Sequence, residues 1–315
     1  MPDNPVCSIV VPVYNSTDNL RELARTVDRV FHDTVHADYE LIFVDDGSPN
    51  PKTWPTLREL AGEKSAVLAI RLTRNFGQIP ATLCGLEASR GEAVVVMDDD
   101  LQHRPEDIPL LLSARDHDVA VARFGRRSHG ALSRLTSRIK GFFDWVILGK
   151  PRHLQYSSFL MLKRTIIRGM LAVETSYPLL LPLILHCTRD VVNVDVQHEP
   201  RKRGRSGYSL RTRFRLFTNL LISNSSFVLS VIGFLGISIA FVTFGLFVFF
   251  LIRKLAVGIG VSGWTSLMVT VLGIGGVLLF SVGIIGTYLI RIIHTSERRP
   301  GYVVRCDTRQ EEGGE

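Results

Sequence analysis

The chain has 315 residues, a formal net charge of +7 and a hydrophobic content of 46%. This length accommodates one large domain with additional elements, but the hydropathy indicates that part of the chain is not soluble. The four cysteines lack the spacing of a metal site or of a disulfide framework, which favours free thiols in a reducing compartment.

Short apolar segments alternate with helical patterns up to about residue 123. The predicted strands are residues 8–13, 40–44, 67–72, 93–97 and 119–122. The predicted helices are residues 18–31, 53–61, 80–88 and 105–114. This alternation predicts an α/β fold with a doubly wound, mostly parallel sheet, and such sheets bind ligands beyond the carboxyl ends of their strands.

Three consecutive carboxylates, Asp98, Asp99 and Asp100, follow the fourth predicted strand. Like charges at the mouth of a buried strand repel one another, so the cluster indicates a compensating cation, with a solvated acidic turn as the alternative. Because side chains alternate along a strand, we expect Asp98 and Asp100 on one side and Asp99 on the other. Two carboxylates that share a cation with substrate phosphates are typical of Mg²⁺ or Mn²⁺, which predicts a nucleotide substrate.

Two other polar motifs end predicted strands at the same edge of the sheet. Pro12-Val13-Tyr14-Asn15 ends the first strand and Asp45-Asp46-Gly47-Ser48 ends the second. We therefore expect one site where the three motifs meet. His103, beside the carboxylates, is either a metal ligand or, as is more common for a single histidine in a turn, a supporting or surface residue.

Residues 131–148 and 209–221 have apolar side chains at helical spacing with basic residues around them. Basic amphipathic helices next to a membrane span are expected to lie in the membrane interface. Ordinary packing against the sheet is the alternative.

Two later segments, residues 227–252 and 264–290, contain no charged residue. Each exceeds the roughly 20 apolar residues that cross a bilayer, so they predict two C-terminal transmembrane helices, with buried helices of a soluble protein as the alternative. Lys and Arg concentrate before the first segment and after the second, which predicts that the N-terminal domain, both termini and a tail over residues 291–315 are cytoplasmic. The glycine-rich second segment favours close helix packing, between the spans or between subunits of a homo-oligomer.

The charge distribution also bears on partners. No Asp or Glu occurs between Pro200 and Ser296, and every charged residue there is Lys or Arg. Because this surplus lies beside the predicted spans, it indicates anionic lipids or lipid phosphates as partners and argues against nucleic acid.

Four motifs occur in the order and spacing of a known enzyme family. They are Pro12-Val13-Tyr14-Asn15, Val44-Asp45-Asp46-Gly47-Ser48, Arg74-Asn75-Phe76-Gly77-Gln78 and Asp98-Asp99-Asp100-Leu101-Gln102-His103. The chain resembles glycosyltransferase family 2, and more narrowly the polyprenyl-phosphate glycosyltransferases, which include dolichyl-phosphate mannose synthases and undecaprenyl-phosphate glucose and aminoarabinose transferases. The likeness continues beyond the first domain. It includes His198, Arg201, Gly204, Ser206, Tyr208, Gly286-Thr287-Tyr288 and Arg299-Pro300.

The resemblance implies a GT-A catalytic domain over residues 1–208 that binds a nucleotide sugar. It implies catalytic roles for Asp98, Asp100 and Gln102, with Asp98 and Asp100 holding Mg²⁺ or Mn²⁺. The residues implied to bind the nucleotide sugar are Pro12, Tyr14, Asn15, Asp46, Arg74 and Asp99.

The implied acceptor is the phosphate of a membrane polyprenol, which receives the sugar with inversion. A second phosphate pKa of about 6 leaves this group largely dianionic at neutral pH, so no strong general base is needed. The residues assigned to the lipid phosphate are Arg201, Ser206 and Tyr208, with Arg123, Arg126 and Arg134 as secondary candidates. A general grip on anionic head groups is the alternative for any one of these arginines.

Two other functions are compatible with parts of the pattern. A processive polysaccharide synthase shares the nucleotide-sugar domain, but it would normally carry a Gln-x-x-Arg-Trp motif and more spans, and no Arg precedes Trp54, Trp145 or Trp264. A non-catalytic membrane scaffold of the same fold would have no reason to retain three adjacent carboxylates, which cost stability without a metal.

Overall fold

The computed structural model describes residues 5–124, 154–173, 175, 178–196 and 300–309, together with 238, 252, 263, 267, 270–271, 274–275, 277–278, 281–282, 284–286, 288–289 and 292. The predicted amphipathic helices 131–148 and 209–221, and most of the predicted span 227–252, lie outside these residues. The chain divides into two compact units. One comprises Met1–Gly207 with Arg299–Glu315, and the other comprises Tyr208–Arg298.

Among the residues described for the second unit, most are helical. Within the part of the chain that the structure describes, no helix combines the length and the apolar character needed to cross a membrane.

The first unit contains an eight-stranded sheet. Its strands are β1 (Cys7–Val13), β2 (Tyr39–Asp45), β3 (Val67–Leu72), β4 (Ala93–Val96), β5 (Val119–Phe124), β6 (Leu160–Lys163), β7 (Val191–Val196) and β8 (Val304–Asp307). The order across the sheet is β7-β5-β6-β4-β1-β2-β3-β8. Strands β6 and β8 run antiparallel to their neighbours, whereas the other pairs are parallel, which confirms the predicted mostly parallel α/β sheet.

The helices cover both faces of the sheet. They are α1 (Asp18–Val30), α2 (Thr53–Glu63), α3 (Gln78–Ala88), α4 (Ile108–Ser113), α5 (Arg164–Leu171) and α6 (Leu180–Cys187). A π-helical turn, Phe31–Val35, extends α1, and a 3₁₀ turn, Pro105–Asp107, precedes α4. The predicted fourth helix is thus divided between a 3₁₀ turn and a short α-helix.

Two apolar cores lie on opposite faces of the sheet because strand side chains alternate. In β1, Ile9 and Val11 belong to the core beneath α1, α2 and α4, while Val10 belongs to the core beneath α3, α5 and α6. Helix α1 places Leu20 and Val27 on one stripe at helical spacing, and both are fully buried.

Four of the later strands begin or end at one edge of the sheet, the edge formed by the carboxyl ends of the parallel strands. Strands β5 and β7 both end there, with Phe124 beside Val196. Strand β6 begins there, because its first residue, Leu160, pairs with Val96 at the end of β4. Strand β8 also begins there, with Val304 beside Leu72 at the end of β3.

Candidate active site

The polar motifs meet at this carboxyl edge. Loops follow β1, β2, β3 and β4, and the segment before β6 joins them from the opposite chain direction. Hydrogen bonds connect each loop to the next, so the five segments meet at this edge. The sequence predicts this meeting for three of them, the loops after β1, β2 and β4.

The loops after β1 and β2 are joined through Asn15. Its backbone N–H donates to Ser48 Oγ at 2.9 Å, and its Oδ1 accepts from the Asn50 N–H at 3.2 Å. Asn15 has a φ of 61°, a left-handed conformation that asparagine tolerates better than most residues. Tyr14 is 49% exposed beside it, whereas Pro12 is buried within β1, paired with Val44.

Asp46 supports the loop after β3. Its two carboxylate oxygens accept from the backbone N–H groups of Phe76, at 2.7 Å, and Gly77, at 2.8 Å. Burial raises the pKa of Asp46, although these two hydrogen bonds and the charge of Arg74 oppose the rise. The residue predicted to bind the nucleoside therefore also holds a neighbouring loop in place.

Arg74 projects from that loop. The residue is exposed, and its guanidinium lies 4.0 Å from the centroid of the Phe76 ring. Gly47, with a φ of +60°, packs directly against the Arg74 backbone. Asp45, by contrast, is fully buried and serves the fold, since its carboxylate accepts from the Ser48 N–H at 2.9 Å and lies 3.2 Å from Arg71 Nε.

The three carboxylates lie in the loop after β4 and not on the strand. Strand β4 ends at Val96, and Leu101 adopts a φ of 59° in the turn that follows. The expected alternation of Asp98 and Asp100 against Asp99 therefore has no basis here, because alternation requires extended backbone. Each carboxylate has different surroundings instead.

Asp98 is held from two directions. Gln78 Nε2 donates to its Oδ1 at 2.7 Å, and Ser158 Oγ donates to its Oδ2 at 3.0 Å. Asp100 is held within its own turn, because the Gln102 N–H, at 3.1 Å, and Gln102 Nε2, at 2.7 Å, donate to its two oxygens. Gln102 thus donates hydrogen bonds to Asp100, a candidate metal ligand. Gln78 and Ser158, to which the sequence analysis assigned no role, donate to Asp98, the other candidate.

Asp99 is partly buried, like Asp98 and Asp100, but its environment differs from theirs. Burial, and then the charges of Asp98 and Asp100, raise its pKa to about 7, against the effect of hydrogen bonds from Ser16 and the Tyr14 backbone. Its Oδ2 is buried with no hydrogen-bond partner among the residues described. A buried acceptor without a donor is costly, so this oxygen is suited to a donor that a ligand brings.

His103 supports the carboxylate loop from inside. Its Nδ1 accepts from the Asp98 backbone N–H at 2.9 Å, which assigns the proton of the neutral ring to Nε2, 3.7 Å from Asp98 Oδ2. The ring is buried and stacks on Phe159 and Phe124, at centroid distances of 5.0 Å and 5.7 Å. This arrangement fits a supporting residue better than a metal ligand.

Of the residues predicted to bind the lipid phosphate, only Arg123 is described. Its Nε and Nη2 donate to the two carboxylate oxygens of Asp195, at 2.6 Å and 2.7 Å. The remaining candidates, Arg126, Arg134, Arg201, Ser206 and Tyr208, lie outside the described residues. Within the described ranges, no three His, Cys, Asp or Glu side chains are grouped so that they could hold a metal ion.

Comparisons with known proteins identify the family of this chain. The family model for glycosyl transferase family 2 matches residues 8–171, which is more than half of the chain. An undecaprenyl-phosphate 4-deoxy-4-formamido-L-arabinose transferase of Pseudomonas aeruginosa is 31% identical, over 94% of this chain and 88% of that protein. A protein of the same name from Edwardsiella ictaluri is 30% identical, over 97% of this chain and 96% of its own length.

Solved structures share the fold. Glucosyl-3-phosphoglycerate synthase of Mycobacterium tuberculosis, in complex with phosphoglyceric acid, superimposes with a TM-score of 0.52 and 17% identity, over 70% of this chain and 80% of that one. The same enzyme in complex with Mn²⁺, UDP-glucose and glycerol 3-phosphate has a TM-score of 0.50 and 15% identity, over the same shares of the two chains. The fold is therefore of the GT-A type, and the chain belongs to glycosyl transferase family 2 as a glycosyltransferase.

Proposed function

We propose that this chain transfers a sugar from a nucleotide-sugar donor to the phosphate of a polyprenyl lipid, with inversion at the transferred carbon. Two relatives named as undecaprenyl-phosphate transferases align with nearly its whole length, including the segments outside the catalytic unit. The observation that carries the proposal is topological. The chain leaves the sheet after Phe124 in β5 and after Val196 in β7. It returns to the sheet at the start of β6 and of β8, and all four points lie at the same sheet edge as the acidic loop.

This topology connects the donor loops to the segments predicted to meet the membrane. The first of these segments contains Arg126 and Arg134, and the second contains Arg201, Ser206 and Tyr208. The strands that precede both segments, β5 and β7, end at the carboxyl edge, which is the edge where the donor is proposed to bind. The proposal includes anchoring by two spans, residues 227–252 and 264–290, with both termini cytoplasmic. It also includes assembly of subunits through the glycine-rich second span.

The donor would lie across the loops of the first four strands. Tyr14, Asn15, Asp46 and Arg74 surround the proposed nucleoside position, and the unpartnered Asp99 Oδ2 is suited to accept from a donor hydroxyl. The exposed guanidinium of Arg74 is available to an anionic group.

The acidic loop fits a divalent cation. Asp98 and Asp100 offer oxygen donors. Among the described residues, Asp98 Oδ1 and Oδ2 each accept one hydrogen bond, although a carboxylate oxygen has two lone pairs. Two carboxylates, with the rest of the shell from phosphate and water, suit Mg²⁺ or Mn²⁺. A cation bound there would stabilise the negative charge that grows on the leaving diphosphate.

The acceptor needs little activation. A largely dianionic phosphate attacks without giving up a proton, so the protein must hold two anions close together. Arginine suits that task because its fork of donors matches phosphate geometry. Arg123 would first have to exchange its bidentate contact with Asp195, which makes the arginines outside the described residues the stronger candidates.

The direct test incubates the purified full-length chain in detergent with a panel of nucleotide sugars, undecaprenyl phosphate and Mn²⁺ or Mg²⁺. We expect nucleotide release that requires the lipid phosphate and a lipid product that carries one sugar. Release without lipid would refute the acceptor, and a product with many sugars would indicate a processive synthase.

A variant pair separates catalysis from a scaffold role. Asp100→Asn should abolish transfer while thermal unfolding stays close to that of the unaltered chain, because the substitution removes a charge and keeps the shape. Asp116→Asn, an exposed carboxylate in the turn before β5, is the matched control and should transfer sugar normally. Unchanged turnover in Asp100→Asn would contradict its proposed role.

A further inference from the structure

Asp98 is restrained by residues from three separate segments of the catalytic unit. Gln78 is the first residue of α3, Ser158 lies in the segment before β6, and His103 follows the acidic loop. Gln78 and Ser158 occupy the two carboxylate oxygens of Asp98, and His103 accepts from its backbone N–H. The side chain and the backbone of this one aspartate are therefore both held.

The segment before β6 contacts both Asp98 and His103. Ser158 donates to Asp98, while its neighbour Phe159, fully buried, stacks on the His103 ring at a centroid distance of 5.0 Å. Ser157 Oγ accepts from the Phe159 N–H at 3.1 Å, which stabilises the local turn. The backbone next to Ser158 is thus anchored by a packed aromatic side chain.

The three neighbouring acids make such restraint useful. Asp98 lies beside two like charges and would turn away from them if no donor held it. A hydrogen bond to an ionised carboxylate is stronger than one between neutral groups, and two bonds from different segments leave the carboxylate little rotational freedom. A ligand group that is already in position does not have to be ordered when the cation or the donor binds.

We propose that Gln78 and Ser158 are positioning residues that hold the Asp98 carboxylate ready for the divalent cation and the donor diphosphate. The inference rests on the proposed function, in which Asp98 faces the donor. The two residues act through Asp98 and do not themselves contact the reacting atoms. Removal of either donor should therefore weaken cation binding without unfolding the chain.

The test measures binding of Mn²⁺ alone to the full-length chain in detergent, by the loss of the electron paramagnetic resonance signal of the free ion. Ser158→Ala and Gln78→Ala should each bind Mn²⁺ at least about fivefold more weakly, which is the factor expected from the loss of one net hydrogen bond. Ser158→Thr keeps the hydroxyl and should restore binding to near that of the unaltered chain. Ser113→Ala removes an exposed hydroxyl on α4 that donates to the Leu110 carbonyl, and it should change nothing.

Thermal unfolding of each variant, measured in parallel, distinguishes positioning from a general loss of structure. The proposal is overturned if the two alanine variants bind Mn²⁺ as Ser113→Ala does, if Ser158→Thr is as weak as Ser158→Ala, or if the unaltered chain takes up no Mn²⁺. Transfer assays on the same preparations separate the two proposals. The expected ranking of Mn²⁺ binding without any sugar transfer to lipid would support the positioning roles and refute the proposed acceptor.

Discussion

Replacement of Gly47 by alanine tests how far the loop after β2 determines the position of the loop after β3. A Cβ at position 47 would lie 2.3 Å from the Arg74 carbonyl carbon and 2.6 Å from its Cα, so the Arg74 backbone would have to move. The φ of +60° adds a second cost, since a left-handed conformation is unfavourable for a residue with a side chain by about 1–2 kcal/mol.

The two costs add because they have different origins. Overpacking against a fixed neighbour typically costs about 1–3 kcal/mol, so Gly47→Ala should lower the free energy of unfolding by about 2–5 kcal/mol in total. The movement of Arg74 should also weaken nucleotide binding, because Arg74 and Asp46 both border the proposed donor position. Stability and affinity should therefore fall together.

Gly62→Ala provides the matched control. Gly62 lies in α2, and a Cβ there would meet nothing within 4 Å. Alanine is favoured over glycine in a helix by about 0.5–1 kcal/mol, so this variant should be as stable as the unaltered chain or more so. The assay is thermal and urea unfolding of the full chain in detergent, together with titration by UDP and, in parallel, GDP. Equal stability and equal nucleotide affinity in the two alanine variants would refute the reasoning.

Two further predictions concern the fold around the site. Arg309→Ala removes one of the cationic partners of the fully buried Glu40 and should lower the free energy of unfolding by about 1–3 kcal/mol in urea titrations. Arg305 is exposed on β8, so Arg305→Ala should have little effect. Equal losses in the two variants would argue against the Glu40 contact. Burial raises the pKa of Asp28, but hydrogen bonds from Lys64 and Tyr39 outweigh it and lower the pKa below its usual value. The stabilisation of the folded chain by these bonds is therefore complete above about pH 4 and is lost as the pH falls through the folded-state pKa. Asp28→Asn should thus cost less than about 1 kcal/mol at pH 7, since the carboxylate is half exposed, and progressively less as the pH falls through that pKa; a cost that does not change with pH would contradict the ion pair.

The arrangement of the first five strands follows from local pattern. Residues 8–13, 40–44 and 67–72 are apolar because both faces of these strands are covered by helices, and the observed strands include all three ranges. In a parallel sheet the carboxyl ends of the strands share one edge, so the meeting of the three polar motifs also follows from the order of the elements. The sequence therefore determined the fold class and the sheet edge at which the polar motifs meet.

The later strands β6 and β8 were not predicted, because local sequence does not specify them. Strands β6 and β8 are only four residues each, and they run antiparallel at positions that no local period reveals. Strand β8 lies beyond the second apolar segment and pairs with β3, more than two hundred residues away in the chain. Such pairing depends on which edge is open in the folded domain, and that information is not local.

The surroundings of the three acids were likewise a property of the tertiary structure alone. Their presence in the sequence indicated a cation and a phosphate-bearing substrate. Whether Asp98 would be held by Gln78 and Ser158, and whether Asp99 would be buried enough for its pKa to reach about 7, depended on segments that meet only in the folded chain. Charge and polarity are properties of the individual residues and can be read from the sequence. Burial and hydrogen-bond geometry arise from the way in which distant segments pack.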